Sequence, residues 1–109
     1  MFTSPFTYLD DLLQSPGDLP SDSILSRSLY KDPHLQATLF HFSRGQQLNE
    51  HTASHPAILH FLEGEAALTL GDEQRRAGPG TWVHMTAHLP HSIQAETPLT
   101  MLLLLLMDA

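Results

Sequence analysis

The sequence contains no cysteine, which excludes disulfides, thiolate catalysis and cysteine-ligated zinc or iron–sulfur centres. It is also poor in positive charge, with 5 basic residues against 12 acidic ones and a net charge of −7. Nothing in it resembles the basic footprint that nucleic-acid phosphates require. An anionic membrane surface would repel such a chain. The longest apolar run, Met101–Met107, reads MLLLLLM. A membrane helix needs about 20 apolar residues, so a strand buried on both faces is the better reading of that run. The N-terminal MFTSPFTYLDDLL has no positive start and no small-residue cleavage pattern, so no signal peptide is expected. With the absence of cysteine, this agrees with a cytoplasmic location.

At 109 residues and 41% apolar composition, the chain fits one globular domain with a single core. Ser, Pro, Asp and Leu dominate residues 1–23, which read as an N-terminal arm. Within it, Thr7–Leu13 could form a short helix, with Asp10 and Asp11 near its positive end and Pro16-Gly17 ending it. From Ile24 to the end the pattern is one of short strands. Leu35, Ala37, Leu39 and His41 alternate with Gln36, Thr38, Phe40 and Phe42. Further runs are Ile58–Glu63, Ala66–Leu70, Trp82–Met85, His91–Ala95 and Leu99–Met107. Gly71-Asp72 reads as a hairpin turn and Gly78-Pro79-Gly80 as a sharp loop. Eight or nine short strands separated by such turns predict an all-β sandwich or barrel over residues 24–109.

What is abundant is histidine. There are 8, and six of them lie between His51 and His91. Imidazole is the commonest metal ligand and the side chain best suited to moving protons near neutrality. The spacing around the two outermost of these six resembles the two sequence blocks of the cupin superfamily. Gly45 is followed by five residues and then His51, and Gly64 stands at the closing glycine of the first block, within HFLEGEAALTL. In the second block Gly80 precedes His91 by eleven residues, within AGPGTWVHMTAHLPH. The resemblance covers roughly residues 24–107. It implies a double-stranded β-helix, or jelly-roll, barrel of the small single-domain type. It also implies a site at the barrel mouth built around His51 and His91.

The departures from the pattern are specific. Ala53 and Ala57 stand at the family's second histidine and glutamate positions, and Thr86, His88 and Ala95 replace the usual Pro, Gly and Asn of the second block. Only His51 and His91 remain of four metal-binding positions. Divalent transition metals usually take three or more protein ligands. His55 is the best third donor, because it lies four residues past His51 and Pro56 forces it toward an extended backbone. Alternation puts His60 on the sheet face opposite Ala57, unless a bulge intervenes. His60, His84 and Trp82 are counted with Ala53 and Ala57 as candidate pocket residues. Trp82 and Phe61 read as core packing rather than substrate stacking. Glu50 and Glu63 are candidate proton acceptors. His34, His41 and His88 read as structural or surface residues.

Three functions follow from the resemblance. A metalloenzyme would use His51, His55 and His91 as neutral ligands to Fe, Mn, Ni, Cu or Zn, for oxygenase- or isomerase-type chemistry on a small organic ligand. A binding module would hold such a ligand in a degenerate metal site enlarged by the two alanines. A metal-free enzyme would use His51 or His91 as a general base, although no paired Asp is evident to orient it. No organic cofactor is implied. Small cupins usually pair through sheet edges, and the apolar C-terminal strand leaves an edge to hide, so a homodimer is expected.

Overall fold

The computed structural model describes residues 4–14, 17 and 19–108. Nine strands follow one another along the chain: β1 (Ile24–Lys31), β2 (Leu35–Phe42), β3 (Gln47–His51), β4 (Ala57–Glu63), β5 (Ala66–Leu70), β6 (Glu73–Ala77), β7 (Trp82–Met85), β8 (His91–Ala95) and β9 (Leu99–Leu106). They form two antiparallel sheets. The first runs β1-β2-β9-β4-β7 and the second runs β3-β8-β5-β6. This is the all-β jelly-roll architecture, and no helix is present among the described residues.

Strand alternation builds the core between the sheets. Phe42, Leu59, Phe61, Leu99 and Met101 from the first sheet meet Ala66, Leu68, Ile93 and Ala95 from the second, all buried. β9 lies at the centre of the first sheet, paired along its length with β2 and β4. That position explains its sequence. Met101, Leu103 and Leu105 face the core, while Leu102, Leu104 and Leu106 cover the outer face of the same sheet.

The arm departs from the expected helix. Residues 7–13 contain only a bend and a turn. The Leu13 N–H donates to Asp11 Oδ1 at 2.9 Å, and the Ser4 hydroxyl donates to the Phe6 carbonyl at 2.9 Å. Such short side-chain bonds compete with helical backbone pairing, and about seven residues are too few to nucleate a helix unaided. The expected stop at Pro16 lies outside the described residues. The arm passes over the outer face of the first sheet, where Leu9, Leu12 and Gln14 share a concavity with Arg27 and Leu29 of β1.

Candidate ligand site at the barrel mouth

His51 ends β3 and His91 begins β8, and the two are direct cross-strand partners. Simple alternation from Leu48, which packs on the core, would aim Glu50 inward and His51 outward. The register shifts between Leu48 and His51, so three residues of β3 span two of β8. This bulge turns His51 to the interior face beside His91. The ring centroids lie 4.2 Å apart at a 57° tilt. His91 is 6% exposed, whereas His51 is exposed.

The hydrogen bonds fix how the rings present themselves. His51 Nδ1 lies 2.9 Å from the Asn49 carbonyl oxygen. His91 Nδ1 lies 2.9 Å from the Leu89 carbonyl oxygen. A carbonyl oxygen can only accept, so in both rings Nδ1 carries the proton and donates it. Each neutral ring therefore offers an unprotonated Nε2, the atom that accepts a hydrogen bond, takes a proton or ligates a metal. Burial pushes the His91 pKa below the ordinary imidazole value, with a further lowering from His51 against an opposing contribution from the Leu89 hydrogen bond. His91 is thereby kept neutral and available as an acceptor at neutral pH.

The loops of the two sequence blocks meet over this pair. The His88 N–H donates to the Ala53 carbonyl at 2.7 Å, and the Gly71 N–H donates to the Pro90 carbonyl at 2.8 Å. His88 has φ +70°, a left-handed conformation that glycine tolerates best, and it occupies the place where the family pattern carries glycine. Ala53 is half-buried beneath that loop, and Ala57 is buried in the core wall opposite Met85.

The other candidates separate. Among the described residues no three His, Cys, Asp or Glu side chains come together in a group able to hold a metal ion. His55, half-buried in the β3–β4 connection, thus does not complete a three-ligand set with His51 and His91. His60, Trp82 and His84 stand on the outer face of the first sheet, away from the pair. The alternation of β4 holds, with His60 opposite Trp82 and Ile58 opposite His84, while Ala57 and Leu59 face the core. Trp82 is 57% exposed, so it is neither core nor barrel lining, whereas Phe61 is core. Glu50 is exposed within the β3 bulge. A second bulge, between Phe61 and Glu63, brings Glu63 opposite Thr100 and so to the outer face. There the buried Thr100 hydroxyl lies 3.2 Å from His41 Nδ1, a partnership the sequence left unmarked. Burial lowers the His41 pKa, Arg27 adds to the lowering and Glu63 opposes it.

Solved structures share this architecture. A cupin superfamily protein of Desulfitobacterium hafniense (DSY2733) is 26% identical, with a TM-score of 0.78 over 84% of each chain. The SPY1581 protein of Streptococcus pyogenes, of unknown function, is 25% identical, with a TM-score of 0.77 over 97% of this chain and 99% of its own. The DMSP lyase DddQ of Ruegeria pomeroyi is 25% identical, with a TM-score of 0.72 over 78% of this chain and 47% of its own. Among curated proteins, none matches the chain. Residues 38–107 match the model of the Cupin_2 family, described as a cupin domain, and with the two sequence blocks closing over His51 and His91 the chain belongs to that family.

Proposed function

We propose that this cupin binds a small organic molecule at the barrel mouth through the paired Nε2 atoms of His51 and His91. The observation that supports this most is the pair of Nδ1–carbonyl contacts, one for each ring, to Asn49 and Leu89. Two acceptors a few ångströms apart suit a ligand carrying two hydroxyl or N–H donors. The residues present do not fit a resident transition-metal centre. Among the described residues no third donor joins the two imidazoles, and Ala53 and Ala57 supply none.

The reading is tested with tag-free protein. Elemental analysis should find metal far below one equivalent. A thermal-shift screen of small polyols, hydroxy acids and amides should find ligands that raise Tm in the parent chain. That rise should vanish in a His51→Ala/His91→Ala double variant. Stoichiometric iron, manganese, nickel, copper or zinc lost from the same variant would replace this reading with the metalloenzyme one.

A second reading is favoured by the lowered pKa of His91 and by a lyase among the similar structures. A neutral, half-enclosed imidazole can take a proton from a bound substrate, with His51 accepting a second hydrogen bond. Turnover that falls with acid in step with His91 protonation would support it.

We also infer a homodimer. Phe6 and Tyr8 of the arm are 71% and 78% exposed, and Trp82 borders the uncharged outer positions Ile58, His60, Leu102 and Leu104. A chain carrying seven net negative charges repels its own copy except where such a face removes charge from the contact.

A further inference from the structure

The second sheet has two faces. One carries His91, Ile93, Leu68 and Leu70 toward the interior. The other faces solvent and bounds a concavity of about 650 Å³. That volume is within the usual range for small-molecule sites, roughly 300–1,000 Å³. Its shape follows from side-chain size. The two central strands present small groups outward, with Ser92 of β8 opposite Thr69 of β5 and Gln94 opposite Ala67. The edge strands present long groups, Gln47 on β3 and Gln74 and Arg76 on β6. Small residues in the middle and long ones at both edges make a trough across the sheet.

The trough lining carries two arginines, Arg75 and Arg76, and both are ion-paired. Arg76 is ion-paired with Glu96, and Arg75 bonds to Glu73 and to the Gln74 carbonyl. Both cations are thus already engaged. By contrast, the side chains of Gln47, Gln74, Gln94, Thr69 and Ser92 make no hydrogen bond within the protein among the described residues. Three amides and two hydroxyls, each able to donate and accept, line one depression beside the two ion-paired arginines. Anions find no unpaired cation there, and apolar ligands find no aromatic platform. A molecule dense in hydroxyl groups can pair with every one of these side chains.

We propose that the outer face of the second sheet is a second binding site, for neutral, hydroxyl-rich ligands of the saccharide class. It is separate from the His51–His91 pair, on the opposite side of the same sheet. Water competes for these exposed groups, so a dissociation constant on the order of 1 mM is expected.

The test is a titration of the ¹⁵N-labelled full chain with two neutral disaccharides, cellobiose and maltose, and with glucuronate as the charged control. Saturable shifts are expected at the side-chain amides of Gln47, Gln74 and Gln94 and at the backbone amides of Thr69 and Ser92, with the neutral sugars only. A Gln74→Ala/Gln94→Ala variant should bind about tenfold more weakly, with an otherwise unchanged spectrum. The His51→Ala/His91→Ala variant should bind as the parent does, which separates this site from the barrel mouth. No saturable shift with either disaccharide would overturn the proposal. So would shifts confined to the surroundings of His51 and His91, or undiminished affinity in the glutamine variant.

Discussion

Burial of the His91 ring beside His51 gives the protein a direction of acid sensitivity. Its folded pKa is below that of the unfolded chain, so folding disfavours its protonation. The associated stability is complete above the ordinary imidazole value and is lost as pH falls through the lowered folded value. His41 acts in the same sense, again through burial first. Asp32 is lowered chiefly by the Tyr30 hydroxyl hydrogen bond, so its contribution is lost only in the more acid carboxylate range. Tm is therefore expected to fall between about pH 7 and about pH 5. His91→Gln should flatten part of that slope and His41→Gln another part. A His91→Gln curve parallel to the parent's would contradict the burial of this ring. At Gly64 the constraint is steric. Its φ is +89°, and a Cβ there would run into the Pro98 carbonyl oxygen. Gly64→Ala should cost about 1–3 kcal/mol from backbone strain alone, read as a lower urea midpoint. An unchanged midpoint would mean that the β4–β5 turn is not packed on Pro98.

Elements show which parts of the fold were legible and which were not. The alternation of Leu35–Phe42, the Gly71-Asp72 turn and the doubly apolar Leu99–Leu106 run all signal strands directly, because burial on one face or both leaves a period in the sequence. The arm misleads, since Asp10 and Asp11 suit a helix start and a side-chain-bonded turn equally well. Bulges are silent. Counting by twos aims His51 outward, and only the Gly45-to-His51 spacing shared with the cupin pattern pointed to the interior. The same silence hid Glu63, which a bulge delivers to the neighbourhood of His41. His60, His84 and Trp82 stay on the outer face because no bulge interrupts their pairing. The β3 bulge makes a sharp prediction. Deleting Glu50 should leave a regular ladder with His51 still opposite His91, because the extra residue is then gone. Ring-to-ring nuclear Overhauser contacts between the two histidines should persist in that variant. Contacts absent from the parent and gained only on the deletion would show that β3 pairs without the bulge.

At the scale of the molecule, two sheets give four faces with different tasks. The inner faces make the core and seat the histidine pair at its mouth. The outer face of the first sheet is apolar under and beside the arm, and the outer face of the second is polar and uncharged in its middle. Among the described residues no helix is long and apolar enough to cross a membrane. If the uncharged face around Trp82 joins two copies, light scattering at micromolar concentration should return twice the mass of one chain. Trp82→Glu should convert the assembly to a monomer whose fold is retained. A parent protein that is monomeric under those conditions would remove the dimer from the account.

The central claim concerns four ring nitrogens. A long-range ¹H–¹⁵N correlation spectrum of the histidine rings in tag-free protein, recorded slightly above neutral pH, reports each tautomer directly. In their neutral forms both rings are expected as Nδ1–H tautomers with an unligated Nε2. An Nε2–H proton on either ring, or an Nε2 shifted by a bound metal, would contradict the site described for this cupin.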